Sequence, residues 1–189
     1  MRKTDPKDWI WDGGRPSIDL LNTLRDRKLV PRELLVEPSD LAEWLVTAGL
    51  VQAPPEVTAR HVTRARALRE AIDRLALAVP DGPIDAADVA MLNDAAKVRA
   101  SAPELAVGKN GRLEVRAPRE SDPVAVALGR IAADAVDLVT SEGATFRVCA
   151  SDTCGLRFED RSPARNRQWC SMKRCGNREK ARQHYLRQK

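Results

Sequence analysis

Aromatic side chains are scarce in this sequence: Phe, Trp and Tyr together make up 4% of 189 residues. Any core must therefore be built mainly from Leu, Val, Ala and Ile. No apolar run approaches the roughly 20 residues needed to span a bilayer as a helix. The opening "MRKTDPKDWIWDGG" has cations but lacks the apolar stretch of a secretory signal. The expectation is a cytoplasmic chain without a membrane partner. Histidine occurs only at His61 and His184. No Ser/His/Asp set and no phosphate-cradling glycine loop is visible, so no catalytic residue is assigned and no enzyme is expected. Cysteine is missing from the first 148 residues. Acid is nearly missing from the end: residues 161–189 hold ten Lys/Arg and one acid, Glu179. That segment carries +9 against +5 for the whole sequence, which leaves −4 on residues 1–160. Two regions of opposite sign suggest two tasks.

What is present reads mainly as helix. "RPSIDLLNTLRDR" suggests a short helix entered through Pro16 and Ser17. "SDLAEWLVTAGL" repeats Leu41, Trp44, Leu45 and Ala48 at helical spacing behind a Ser39 cap. The longest helix is expected from Pro55 to Pro80, with Val57, His61, Ala65, Leu68, Ile72, Leu75 and Val79 facing inward. Another follows a cap at Asp85, with Val89, Leu92 and Ala96 inward. "ELAV" and "RLEVR" around Asn110-Gly111 predict a β-hairpin. "SDPVAVALGRIAADAVDLVTSEG" predicts a long helix capped by Ser121 or Asp122. Its stripe is Val124, Leu128, Ile131, Ala135 and Leu138. "WIWDGG" suggests a short strand, and "LVPRELLVEP" is ambiguous. The fold class is thus α+β: a mainly helical N-terminal domain, residues 1–143, with a small hairpin, then a small cysteine-containing unit, residues 144–189.

The cysteines are Cys149, Cys154, Cys170 and Cys175, two Cys-x4-Cys pairs with fifteen residues between them. Two close pairs joined by a loop suit a tetrahedral Zn2+ site, because each pair curls the backbone around the ion. "TFRVC" and "LRFED" are β-leaning, and "NREKARQHYLRQK" has helical composition. The unit reads as knuckle, hairpin, knuckle, helix. Four unrelated buried cysteines, disulfides or an iron–sulfur cluster are the alternatives, and spacing alone does not exclude the last. A closed four-sulfur site leaves no position for substrate, which points to structural metal. Residues 144–189 have few apolar side chains to bury, so their folding should depend on the ion. Chelation is then expected to unfold this unit and leave residues 1–143 largely intact.

A helix over residues 173–189 would turn Cys175, Glu179, Arg182 and Leu186 toward the metal body. Lys173, Lys180, His184 and Arg187 would gather elsewhere. A charge run is often only a solvated surface, and cations near a helix C-terminus suit its dipole. The one-sided excess on a metal-stiffened unit favours nucleic acid. Arg165, Arg167, Lys173, Arg174, Lys180 and Arg182 are the candidate phosphate contacts. Asn177 and Arg178 have the chemistry to read base edges. Asn177 could equally serve as a local cap, and Gly176 as the residue that lets the backbone turn at the metal. Trp169 is expected to pack over the sulfurs.

"CGNREKAR", preceded by "RQWCSMKR" and "CASDTCGLRFEDRS", resembles the CGNR zinc finger family. "GGRPSIDLLNTLRDR" and "ALREAI" are similar to the ABATE domain that commonly precedes this finger. Ile18 and Leu20 stand where that domain's opening motif has other apolar residues. The resemblance implies bacterial stress-induced transcription regulators, Cys149, Cys154, Cys170 and Cys175 as zinc ligands, and a DNA-binding finger.

In the large domain, Asp19, Asn22 and Arg69 are the polar residues of interest. A buried Asp19–Arg69 pair organising the fold is the leading expectation, and a small-molecule effector pocket lined by all three is the alternative. Taken together, these features describe a sensor or assembly domain joined to a zinc finger that binds DNA and regulates transcription. The competing readings are an RNA- or ribosome-associated zinc protein and a module docking an acidic protein. An enzyme housed in the first domain ranks last. The oligomeric state, a homodimer included, stays open.

Overall fold

The computed structural model describes residues 9–79, 82–98, 100, 104–116, 122–141 and 145–188. Six α-helices and three two-stranded antiparallel hairpins lie among them: α1 Pro16–Leu21, β1 Leu24–Arg25, β2 Arg32–Glu33, α2 Pro38–Thr47, α3 Ala59–Ala78, α4 Ala86–Ala96, β3 Glu104–Val107, β4 Leu113–Arg116, α5 Pro123–Thr140, β5 Phe146–Val148, β6 Arg157–Glu159 and α6 Asn177–Arg187. The architecture is a mainly helical region with small hairpins, followed by a four-cysteine cluster with a hairpin and a helix. Among the described residues, no helix is long and apolar enough to cross a membrane.

The core follows the sequence periodicity. All five residues of the α5 stripe are buried. Val124, Leu128, Ile131 and Ala135 pack with Leu68, Ile72 and Leu75 of α3 and Leu41, Trp44 and Leu45 of α2, while Leu138 packs with Ile18 of α1 and Ala76 of α3. Asp122 caps α5 by accepting from the Ala125 N–H, and Asp85 caps α4 by accepting from the Ala87 N–H. Both satisfy amide donors that a helix start leaves without partners.

Several expectations shift. α2 begins one residue before Ser39, because Glu37 and Asp40 form a reciprocal capping pair around Pro38. α3 starts only at Ala59, where Thr58 accepts from the His61 N–H while His61 Nδ1 accepts from the Thr58 N–H. His61 is therefore part of the cap, and Val62 takes the inward position. Val89 of α4 is exposed, since only the Leu92 and Ala95 side of that helix meets the core. Residues 9–12 form no strand. Trp11 stacks on Trp44 with centroids 5.9 Å apart, and Gly13 O accepts from the Glu159 N–H of β6. Pro80 and Ser121, expected at helix ends, lie outside the described residues, as does the boundary expected after Gly143.

The expected Asp19–Arg69 pair is replaced by other partners. Arg69, on α3, donates to Glu33 at 2.6 and 2.8 Å, to Glu70 at 2.8 Å and to the Thr23 hydroxyl at 3.1 Å. Asp19 accepts instead from the Gly13 N–H at 3.0 Å. β2 brings Glu33 to the guanidinium first, and the short β1–β2 pairing was not readable from "LVPRELLVEP".

The helical body and the cysteine unit are joined through buried polar contacts. Asn22 Nδ2 donates to Arg157 O, and Asn22 Oδ1 accepts from the Arg157 N–H, at 3.0 and 2.9 Å. The Arg157 guanidinium makes two bonds of 2.8 Å to Asp73 of α3. Arg27 bridges Glu70 and Asp73. An alternating chain, Glu33–Arg69–Glu70–Arg27–Asp73–Arg157, thus runs from β2 to β6.

Candidate metal centre

β5 and β6 pair with Val148 opposite Arg157. The chain between them turns through Cys149 and Cys154 and closes with Gly155 at φ 83°. A side chain there would enter the left-handed region and meet Lys28, whose N lies 3.2 Å from the position of a Cβ. The second pair is brought in by a π-helical turn, Met172–Gly176, that runs directly into α6. Such turns are rare and cluster at functional sites. Gly176 has ordinary helical dihedrals, so it does not serve to turn the backbone as expected. Its value is closeness: a Cβ there would sit 2.5 Å from Met172 Sδ.

All four cysteines are buried, and their sulfurs lie within 4.8 Å of one another. The Cys154–Cys170 and Cys170–Cys175 sulfur separations are 3.8 and 3.7 Å. A tetrahedron with metal–sulfur bonds of about 2.3 Å has edges of about 3.8 Å, so the cluster fits Zn2+. The electrostatics agree. Hydrogen bonds from Cys154 and Cys170 pull the Cys149 thiol down, while the same contacts push Cys154 up to about 12 and Cys170 further up. Sulfurs this close resist sharing negative charge unless a cation lies among them. Zn2+ is such a cation, and soft thiolates prefer it to magnesium or calcium.

The surroundings hold the cluster in place. Ile10, Leu156 and Phe158 form its apolar shell, with Trp169 partly buried against it. Lys28, from the helical body, donates to Cys149 O and Ser151 O at 2.7 and 3.1 Å. Arg178 Nη2 reaches Cys175 Sγ at 3.6 Å and the Ser151 and Thr153 hydroxyls at 3.2 and 3.1 Å. Glu179 is buried, accepting from Ser151 Oγ and Arg182 Nε, and these bonds lower its pKa. Asp160 lies against the loop between the pairs. Burial pushes its carboxyl up, but bonds from Ser162 and Arg167 and the charge of Arg147 bring it below the usual value.

The eight candidate nucleic-acid residues divide on this geometry. Arg167 lies over the Phe158 ring at 4.7 Å and donates to the Trp169 and Cys170 carbonyls. Arg178 and Arg182 brace α6 against the first cysteine pair. Arg174 meets Asp12 at 3.3 Å. Arg165 occupies a left-handed turn, and its carbonyl accepts from Arg147. Lys173, Asn177 and Lys180 are exposed, with His184 and Arg187. Asn177 to Arg187 follow i, i+3, i+7, i+10 spacing, one outward face of α6. Leu186, expected inward, is 59% exposed, because α6 runs past the small body that it packs on.

Asn22 and Arg69 are buried in the contacts already described, and Asp19 is half-buried against Gly13. Two cavities between α3 and α4, of about 350 and 310 Å³, are lined by other residues. Lys28 and Arg157 were missed from the sequence. Nothing local marks a lysine or arginine whose partners lie more than eighty residues away.

Residues 14–142 match the ABATE family, described as "Putative stress-induced transcription regulator". Residues 146–188 match the CGNR zinc finger. No curated protein matches the sequence. With the first match covering most of its length and the second covering the cysteine cluster, the chain belongs to the ABATE family and carries a CGNR zinc finger behind that domain.

Proposed function

We propose that the chain binds duplex DNA through the outward face of α6, with Cys149, Cys154, Cys170 and Cys175 as the zinc ligands that hold this helix rigid. Residues 144–189 act as the reading unit and residues 1–143 as the unit that assembles or regulates it. The reading rests on one observation. Lys173, on the turn that leads into α6, and Lys180 and Arg187, on the braced helix itself, are exposed, and no hydrogen bond or ion pair engages them among the described residues. Cations left outside internal pairs are the ones available to displace counterions from phosphate. An α-helix fits the B-DNA major groove, about 12 Å wide, where Asn177 has the donor and acceptor to meet an adenine edge. Arg167, Arg178 and Arg182 are assigned to bracing rather than to phosphate.

Structured RNA is the competing ligand, disfavoured because A-form duplexes close the major groove to side chains and this finger offers few exposed aromatic rings for stacking. Competition binding of the zinc-loaded chain with duplex DNA, structured RNA and single strands tests the reading. Duplex DNA should compete best, and chelation should abolish binding. Preferential competition by RNA, or binding that survives chelation, would contradict it.

A further inference from the structure

The β3–β4 hairpin carries an apolar face that none of the described residues covers. Its register pairs Leu105 with Val115 and Val107 with Leu113. Alternate residues of a strand point the same way, so these four share one face. They are 73%, 71%, 72% and 72% exposed in that order. An isolated two-stranded hairpin is at best marginal in water and needs an apolar layer against it. The described residues do not supply that layer. Outside them, the sequence offers Met1 as its sole large apolar side chain.

The pattern of the face indicates what covers it. The two leucines occupy one diagonal of the four-residue square and the two valines the other. A two-fold axis lying between stacked hairpins, along or across the strands, therefore sets every Leu over a Val of the second copy. Long side chains over short ones let facing layers interdigitate. The face carries no charge, so an identical face meets it without repulsion. The surface is self-complementary, as a two-fold interface requires. We infer that the β3–β4 hairpin is a dimerisation arm, packing face to face on the same hairpin of a second copy of this chain.

Four aliphatic side chains per copy make a patch of a few hundred Å², below the roughly 800 Å² per partner of a standard stable interface. The dimer should accordingly be weak and concentration-dependent. The inference is independent of DNA binding, and its test needs no nucleic acid. Sedimentation equilibrium of the full chain should show monomers in exchange with dimers. Leu105→Lys and, separately, Leu113→Lys should each weaken dimerisation at least about tenfold, because a charge then enters the apolar layer. Because both side chains are exposed in one copy, thermal melting of the helical body should be unchanged, which separates a failure to assemble from a failure to fold. A wild-type chain that stays monomeric at all concentrations, or a dimer equally strong in both variants, would overturn the inference.

Discussion

Asp19 shows most directly how position changes a single group. Burial is the main force raising its carboxyl from the ordinary 3.8 to about 7, and the charges of Asp12 and Asp134 add to it. The Gly13 N–H opposes the rise without cancelling it. Because the folded value lies above the unfolded one, the folded chain keeps a proton that the unfolded chain has already released between these limits. Stability contributed by this group is therefore full below about pH 4 and declines as pH rises toward 7. Asp19→Asn keeps an acceptor for Gly13 and removes the charge. It should flatten that decline and raise stability at pH 8 by on the order of 2 kcal/mol. Urea unfolding across pH 4 to 8 checks this, and identical pH profiles for the two proteins would contradict it. The sequence singled out Asp19 as a polar residue of interest but paired it with the wrong element. The true partner of Arg69, Glu33, sits in a two-residue strand with no periodic signal.

At the scale of elements, caps and stripes were legible wherever the interaction is local. Asp122 is three residues from the amide that it caps, and the α5 stripe repeats along one helix. Asp122→Ala should cost about 1 kcal/mol, the usual effect of removing an N-cap. Thermal melting measures the change, and an unchanged midpoint would show the cap to be idle. α6 was legible as a basic helix, although it starts at Asn177 and Lys173 lies in the turn before it. Lys180 and Arg187 are exposed, as the spacing suggested. The division of its arginines was not legible. Arg178 and Lys180 are two residues apart, yet only the fold shows that one braces Cys175 and the other faces outward.

For the whole molecule, the sequence suggested two separable units, whereas the contacts join them. Arg157 belongs to the finger's hairpin, and its backbone and guanidinium are both held by the helical body, through Asn22 and Asp73. Ile10, far from the cysteines in sequence, packs into their shell. Removing metal should therefore do more than unfold residues 144–189. It should leave Asp73 buried with Arg27 alone, at 3.4 Å, and lower the melting temperature of the helical body as well. Arg157→Ala should reproduce that destabilisation with zinc bound, at about 3 kcal/mol, the cost of breaking one side of a buried ion pair. A helical body that melts at the same temperature with and without metal, followed by circular dichroism, would show the two units to be independent. Interactions that span so much sequence escape a sequence reading because no local pattern encodes them.

The central claim is that a zinc-braced helix presents its outward cations to duplex DNA. Its most direct test is the salt dependence of duplex affinity for the zinc-loaded chain, compared with a Lys173→Ala/Lys180→Ala variant that keeps its zinc. Each phosphate left without its lysine should reduce the slope of log affinity against log salt by about 0.9, so the variant's slope should be shallower by about 1.8. Equal slopes for the two proteins, or an affinity indifferent to salt, would contradict the account.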